Sequence, residues 1–299
     1  MNHRDFLGYG LNPPSVRWPG GAGLAVSLVL NVEEGAELSL ADGDEGNESV
    51  HEVTQAVLGA PDLCLASHFE YGTRVGYGRI ASVVAESGVP MTLNACARSL
   101  IGVPWLAQHA VAQGHEICSH GWRWESHAGM DEAYERSLIA RAHAEITRVA
   151  GVAPVGWHTK SSASVNTRRL LVEHGGFLYD SDAYNDDLPY YLPVAGRPHL
   201  VLPYAFDTND MRFFGTQSFV RGGDFADYLI DAFDWLLHES AHGAKMLSIG
   251  LHLRIIGRAA RIGGLQTALK HMRQSGGEGV WFARRDAIAH HWLREVPPA

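Results

Sequence analysis

The chain has 299 residues, 46% of them hydrophobic, and a net charge of −9 at neutral pH, which is the balance of an ordinary globular protein. This charge argues against nucleic acid or an anionic membrane as the main partner. The first residues lack the apolar core of a signal peptide, and the longest apolar stretch near the start, residues 23–30, is too short to span a membrane. We therefore do not expect a cell-wall enzyme exported by the usual route. The three cysteines have no Cys-x-x-Cys spacing, so we expect buried free thiols and a cytoplasmic protein.

Short apolar segments alternate with segments of helical period along the whole chain. The pattern predicts strands at residues 24–31, 91–96, 116–119, 155–158, 177–180, 200–204, 245–252 and 280–283. It predicts helices at residues 79–87, 104–113, 131–150, 167–173, 224–239 and 259–274. Asp131 is the expected N-cap of the third helix, and Gly151 is its expected end. Because neither a linker nor a repeat interrupts this alternation, we predict one parallel β/α barrel over residues 1–299.

Polar side chains follow several of these strands. In a parallel barrel the carboxyl ends of all strands face the same mouth, so these side chains are expected to converge there. A single histidine at a strand end is as often a packed or capping residue, and adjacent glutamates are commonly salt-bridged. The functional interpretation therefore depends on the recurrence of such residues at Asn31, Glu33, Glu34, His120, His158, Asp180, Asp182 and His252.

The turn after the third strand is the most informative segment. His120 lies in a turn rich in glycine and polar residues, where α/β enzymes place working side chains. Four residues later stands Trp124, where a second histidine would complete a His-x-x-x-His metal pair. An indole cannot ligate a metal, so the sequence raises the question of whether the chemistry uses a metal at all.

These residues resemble the NodB-like polysaccharide deacetylase superfamily, and more closely its metal-independent allantoinase branch. The superfamily has an acidic pair after the first strand, a His-x-x-x-His turn and a late Leu-x-Ile-His strand. The phrases shared with the branch run from one end of the chain to the other. They lie at residues 5–10, 12–14, 18–20, 70–72, 114–121, 166–170, 175–180, 187–190, 207–213 and 246–258.

The resemblance implies a distorted seven-stranded (β/α) barrel and a role for each matching residue. Glu33 matches the catalytic carboxylate and Glu34 the acidic metal ligand. His120 matches the first ligating histidine, Trp124 the lost second one, and His252 the general acid. We further predict that substrate contacts come from Asn31, Trp124, His158, Asp210 and Arg212. No metal or other cofactor is expected, and the branch implies a homotetramer.

Hydrolysis of a cyclic amide requires an activated water, donors for the oxyanion and an acid for the leaving nitrogen. Burial and an acidic neighbour are expected to raise the pKa of Glu33, so that it accepts a proton from water near neutral pH. His120 and His252 are expected to supply the donor and the acid. We therefore predict an amidohydrolase that opens a small cyclic ureide or imide, with allantoin as the leading substrate.

Two other functions and a metal site stay open from the sequence. One is a metal-dependent polysaccharide or amino-sugar N-deacetylase, with Glu34, His120 and His252 as three ligands around an open position. The other is a non-enzymatic binding protein on a decayed barrel, which the intact Glu33, His120 and His252 disfavour. The chain also departs from the branch at Asn94, at His158 and at residues 160–165, and these departures concern the substrate rather than the fold.

Two segments, residues 36–70 and 182–221, are poorly periodic and are candidates for functional loops or oligomer contacts. The second contains many aromatic residues, which are enriched in interface cores. We therefore predict a homo-oligomer, with a long loop folded over its own barrel as the alternative. The aromatic residues concerned are Tyr190, Tyr191, Phe213, Phe214 and Phe219.

Overall fold

The first strand forms the middle of a sheet that organises the whole chain. The computed structural model describes residues 4–215 and 218–298, and within these ranges nine strands hydrogen-bond into one sheet. The strands are β1 (Leu24–Val32), β2 (Met91–Ala95), β3 (Glu116–Ser119), β4 (Gly156–Trp157), β5 (Tyr179–Asp180), β6 (Tyr190–Val194), β7 (Arg197–Val201), β8 (Lys245–His252) and β9 (Val280–Phe282).

The strand order is β6-β7-β5-β4-β3-β2-β1-β8, and β9 pairs with the first residues of β1. All neighbours are parallel except the hairpin of β6 and β7. The sheet curls, and Asn209, in the chain after β7, forms a parallel bridge with Gly250 of β8. The predicted α/β barrel is thus confirmed, with an antiparallel edge strand that the sequence did not predict.

Within the described residues, eight α-helices lie between strands of this sheet and a ninth follows the last strand. Asp131 caps α5 by accepting a hydrogen bond from Tyr134 N, and Gly151 ends it in the left-handed conformation, as predicted. The sequence did not predict α1, α3 or α9. The helices are α1 (Leu63–Tyr71), α2 (Tyr77–Ser87), α3 (Ala97–Gly102), α4 (Pro104–Ala112), α5 (Glu132–Ala150), α6 (Thr167–His174), α7 (Gly222–Glu239), α8 (Ala259–Gly276) and α9 (Arg285–Glu295).

The core lies on both faces of the sheet. All nine residues of β1 are buried, as a parallel strand covered on each side requires. The interior also contains a buried cation, Arg285, which ties the β5–β7 side of the barrel to β8. It donates to the hydroxyls of Ser181 and Ser248 and to the carbonyls of Leu202 and Pro203.

Much of the aromatic segment before α7 packs on its own barrel. Phe213 and Phe219 are buried and lie 5.9 and 5.4 Å from the Phe225 ring of α7. Tyr191 is partly buried and donates its hydroxyl to Val296 O. The start of α7 therefore gives these side chains a place inside the protomer, which removes part of the physical argument for an interface. Phe206 remains 73% exposed.

The three cysteines are free, but only two of them are buried. Cys96, directly before α3, and Cys118, in β3, are both buried, and burial raises the pKa of both thiols. Cys64 is exposed because it lies on the outer side of α1, so the prediction of burial is wrong for this residue. Among the described residues, none of the helices is both long and apolar enough to cross a membrane.

Candidate active site

Glu33, directly after β1, is the centre of a buried charged cluster. Its side chain is almost fully buried at the carboxyl end of the strands. Glu33 Oε1 lies 3.6 Å from His120 Nε2 and 3.4 Å from His252 Nε2. Its other oxygen, Oε2, accepts a hydrogen bond of 2.6 Å from Arg254 Nη1. Three cationic or titratable groups from two strand ends therefore converge on one carboxylate.

His252, the last residue of β8, lies between two carboxylates. Its Nδ1 is 2.6 Å from Asp210 Oδ1, and its Nε2 faces Glu33. Burial lowers the pKa of this imidazole, but the charges of Glu33 and Asp210 outweigh burial and raise the pKa to about 10. His252 is therefore an imidazolium near neutral pH, with one proton directed at Asp210 and the other at Glu33.

His120 has a fixed tautomer. Its Nδ1 lies 2.7 Å from the carbonyl oxygen of His158, which can only accept, so Nδ1 carries a proton. In the neutral form of the ring, Nε2, which faces Glu33, is the nitrogen that carries no proton. The imidazole also stacks on the ring of His158, with centroids 5.1 Å apart and planes 3° from parallel. These contacts hold the ring edge towards Glu33.

Arg254 is a site residue that the sequence analysis missed. It lies two residues after His252, is buried, and donates to Glu33 through Nη1 and to Glu52 through Nε. The Phe69 and Trp124 rings lie 4.4 and 5.2 Å from its guanidinium carbon. The sequence shows an arginine two residues after His252. It does not indicate that the turn after β8 directs this arginine towards Glu33.

The pKa shifts of the acidic pair differ from the prediction. Burial raises the pKa of Glu33, but the charges of His252 and Arg254 reverse the effect and place the pKa well below its usual range. The raised pKa that was expected for Glu33 is found at Glu34 instead. Burial raises its pKa to about 7, and the negative charge of Glu33 adds to this shift while Arg254 opposes it. Glu33 is therefore a firmly ionised carboxylate, because it has cationic partners that Glu34 lacks at hydrogen-bond distance.

Glu34 points away from the histidines. Its Oε2 accepts a hydrogen bond from Glu33 N, and its Oε1 has no hydrogen-bond partner among the described residues. A Cβ atom at Gly72 would overlap Glu34 Oε1, so this carboxyl group packs against the backbone after α1. The nearest cationic atom to it is Arg254 Nη1 at 4.0 Å.

These positions do not fit a divalent metal ion. The proposed ligands Glu34, His120 and His252 form no three-ligand cluster, and the described part of the chain has no other group of three metal-binding side chains. The indole of Trp124 stands in the second histidine position, and the Arg254 guanidinium already supplies a positive charge beside Glu33. The alternative of a metal bound through Glu34, His120 and His252 therefore lacks its ligand set.

Trp124 forms one wall beside this cluster. Its indole is buried and lies 6.0 Å from the Phe69 ring. The Lys160 ammonium group lies 3.6 Å from the centroid of the indole and forms a 2.9 Å ion pair with Glu48. The segment at residues 160–165, a departure noted in the sequence, thus brings a cation to the edge of the site.

The opposite wall is polar and comes from neighbouring strands. Asn31 donates to the Tyr204 hydroxyl at 2.9 Å and to Leu251 O at 3.0 Å. Asn94 donates weakly to Asn31 Oδ1 at 3.3 Å, and its own Oδ1 has no hydrogen-bond partner among the described residues. Burial lowers the pKa of His158 despite Asp182 at 3.2 Å. A neutral imidazole and amide groups therefore line this side.

Two predicted substrate contacts lie elsewhere. Asp210 is fully buried and accepts from the backbone N–H of His252 and of Ile256, so it orients His252 rather than facing a substrate. Arg212 stacks on Phe219 and Tyr228 at 4.9 and 4.4 Å. It lies on the α7 side because the short helical turn Asp210–Phe214 directs consecutive side chains to different faces.

A cleft of about 310 Å³ lies beside this polar wall. Two of its lining residues lie near His158. Asp182 Oδ1 is 3.2 Å from His158 Nδ1, and the Tyr184 ring centroid is 6.5 Å from that of His158. Asp180, another strand-end residue, does not reach the cluster, because it binds Arg168 and His199. The cleft is lined by Ser161, Ser162, Ala163, Ser164, Val165, Arg168, Asp182 and Tyr184.

Comparison with other proteins identifies the family. The model of the polysaccharide deacetylase family matches residues 59–176. A putative polysaccharide deacetylase of Schizosaccharomyces pombe is 36% identical, and the match covers 98% of each chain. The chain belongs to the polysaccharide deacetylase family. The predicted resemblance is thus confirmed, and the protein is a hydrolase of this family.

Two solved structures extend this comparison along the whole fold. A probable polysaccharide deacetylase from Pseudomonas aeruginosa PAO1 is 47% identical with a TM-score of 0.94, and the match covers 99% of each chain. A structure described as Puue Allantoinase is 46% identical with the same TM-score and the same coverage. This chain is thus about equally similar to two proteins whose descriptions indicate different substrates.

Proposed function

We propose that this chain is an amidohydrolase that opens the ring of a small cyclic ureide or imide, with conversion of allantoin to allantoate as the leading reaction. The observation on which this proposal depends is the cluster of Glu33, His120, His252 and Arg254. It supplies an acid, a base and fixed positive charge from side chains alone. The 46% identity to Puue Allantoinase over 99% of the chain supports allantoin as the first substrate to test.

In the first step a water molecule attacks the ring carbonyl carbon. Glu33 accepts a hydrogen bond from this water and orients it, while His120 Nε2 takes the proton that the water loses. Because the pKa of Glu33 is strongly lowered, the carboxylate is a poor proton acceptor, and it instead stabilises the imidazolium formed on His120. This assignment keeps Glu33 essential but moves the base function to the histidine.

In the second step the tetrahedral intermediate collapses. Arg254 has a buried Nη2 without a hydrogen-bond partner among the described residues, and it can donate to the oxyanion. The ring C–N bond breaks, and the leaving nitrogen takes the Nε2 proton of His252. Asp210 holds the opposite edge of that imidazole at 2.6 Å. Return of a proton from His120 to His252 restores the starting state, so that one water molecule has been added across the amide.

The walls of the site suit a small polar ring. Asn31 and His158 present amide and imidazole groups at the strand ends, and the indole of Trp124 adds an aromatic ring beside Arg254. A cyclic ureide has both N–H donors and carbonyl acceptors, which such a mixed lining can satisfy. The Oδ1 of Asn94, which has no hydrogen-bond partner within the described ranges, is a further acceptor on this wall.

N-deacetylation of a sugar is the second candidate function. It is favoured by the family and by relatives such as the putative polysaccharide deacetylase of Schizosaccharomyces pombe and the peptidoglycan deacetylase of Helicobacter pylori, which is 24% identical over 76% of this chain. The metal-binding positions argue against this function, because Trp124 replaces the second histidine that would bind a metal together with Glu34 and His120.

A substrate panel separates the two functions. Ureides, hydantoins and cyclic imides are compared with N-acetylated chito-oligomers, and ring opening or acetate release is measured for each. We expect turnover of at least one five-membered cyclic amide and none of the acetylated oligomers. Acetate release from the oligomers, without turnover of any cyclic amide, would sink the proposal.

A further inference from the structure

The guanidinium of Arg254 is fixed by two carboxylates from distant parts of the chain. Nη1 donates to Glu33 Oε2 at 2.6 Å, and Nε donates to Glu52 Oε1 at 2.9 Å. The rings of Phe69 and Trp124 lie near its faces. The two rings limit the tilt of the guanidinium plane. The two carboxylates then determine in which direction the N–H groups point within that plane.

Glu52 lies on a long segment between β1 and α1 whose regular structure, over residues 33–62, is limited to one short turn at Leu40–Asp42. Its side chain is nevertheless buried to about the same degree as the catalytic cluster. Val50 and Val53 on either side pack against the cluster that contains Phe69 and Trp124. Three ion pairs anchor the segment, namely Asp42–Arg98, Asp44–Arg123 and Glu48–Lys160.

His68 also lies near the carboxylate of Glu52, at ion-pair distance but beyond hydrogen-bond distance. Arg258 Nη2 lies 2.8 Å from His68 Nδ1. An arginine can only donate, so His68 Nδ1 accepts and the proton of a neutral ring lies on Nε2. That Nε2 is 3.7 Å from Glu52 Oε1. Burial raises the pKa of Glu52, but His68 and Arg254 outweigh burial and lower the pKa to about 2, so its charge persists at neutral pH.

Arg254 has an alternative partner if Glu52 is lost. Glu34 Oε1 is 4.0 Å from Arg254 Nη1 and has no hydrogen-bond partner among the described residues. We propose that Glu52 is a positioning residue that holds Arg254 against Glu33 and away from Glu34. It touches neither the proposed water nor the substrate, and it acts through the orientation of the guanidinium. The kinetic part of this inference rests on the proposed function.

The kinetic test compares Glu52→Ala and Glu52→Gln with wild type on the cyclic amide that is turned over fastest. We expect Glu52→Ala to lower kcat by roughly ten- to a hundredfold with KM changed by less than about threefold, because a displaced guanidinium fails at the transition state. Glu52→Gln keeps an acceptor for Nε and is expected to recover part of kcat. Asp42→Asn, which breaks another ion pair of the same segment, is the control and should retain kcat.

A spectroscopic test does not depend on the substrate. The Nε–H resonance of Arg254, assigned by its absence in Arg254→Lys, should be protected from exchange in the wild type and in Asp42→Asn, and lost or shifted in Glu52→Ala. An unchanged resonance in folded Glu52→Ala, or an unchanged kcat, would overturn the inference. A raised KM at constant kcat would also overturn it, since Glu52 would then be a substrate contact. Absence of any cyclic-amide turnover by the wild type would count against the proposed function, and the resonance would still decide the role of Glu52.

Discussion

Glu33 and Glu34 are consecutive residues whose pKa values shift in opposite directions. Both are buried, and burial alone raises the pKa of each carboxyl group. Glu33 lies within reach of His252 and Arg254, and their charges reverse the shift. Glu34 turns to the backbone at Gly72 and keeps a pKa of about 7. The cluster thus holds one permanently ionised carboxylate beside one that titrates near neutral pH.

Glu33→Gln and His252→Ala are each expected to lower turnover by roughly a hundredfold or more. His252→Ala removes the general acid, and Glu33→Gln removes the charge that orients the water and stabilises the imidazolium formed on His120. Steady-state kinetics measure the loss, and circular dichroism checks that the fold persists. His199→Ala is the matched control, because it removes another buried histidine–aspartate pair, at 2.9 Å from Asp180. Near-wild-type rates in both Glu33→Gln and His252→Ala would show that the site is misplaced.

Asp210→Asn is expected to move the alkaline limb of the pH–rate profile towards neutrality. The pKa of His252 is raised from 6.5 to about 10, so the imidazolium acts as an acid up to about that pH. The contribution of the His252 imidazolium to the free energy of unfolding is fully present below pH 6.5 and is lost as the pH rises through 10. Without the Asp210 charge the pKa falls, by about one to three units for a close ion pair. An alkaline limb that stays in place would argue that another group donates the proton.

Glu34→Gln is expected to change how stability depends on pH. The pKa of Glu34 is raised from 4.5 to about 7, so the native state favours the protonated form. Stability from this group is therefore fully present below pH 4.5 and is lost as the pH rises through 7. At roughly 1.4 kcal/mol per pKa unit, the loss approaches about 3 kcal/mol.

Because glutamine does not ionise, the stability of Glu34→Gln relative to wild type should increase between pH 5 and pH 8. Urea denaturation at each pH measures the difference, and Glu70→Gln at an exposed ion pair serves as the control. A difference that does not vary with pH would mean that Glu34 does not titrate in this range.

We predict that the protein is a homo-oligomer, with a tetramer as the leading assembly. Burial of Phe213 and Phe219 weakens the aromatic argument, but Phe6, Leu11 and Phe206 remain largely exposed, and exposed apolar groups of this size suit an interface. Light scattering in dilute solution measures the mass. A monomer of 32.6 kDa would remove the prediction and leave the segment before α7 as a lid folded over its own barrel.

The sequence predicted the features that follow from local periodicity. The runs at β1, β3 and β8 are apolar and end in polar residues, so both the strands and the convergence of Glu33, His120 and His252 could be inferred. The position of Arg254 could not, because it depends on how an irregular turn folds over the mouth. Glu52 was equally hidden, since its segment has neither period nor motif. The pKa of Glu33 was predicted in the wrong direction because its cationic neighbours are distant in sequence.

Metal-free ring opening can be followed by ¹³C NMR, as the hydrolysis of allantoin by wild-type protein after exhaustive chelation. We expect a ring carbonyl signal to be replaced by a carboxylate signal at an unchanged rate, because Arg254 and His252 supply the positive charge. The protein should contain no stoichiometric divalent metal before chelation. Loss of turnover that is restored only by Zn²⁺ or another divalent ion would show that the chemistry depends on a metal and not on these side chains alone.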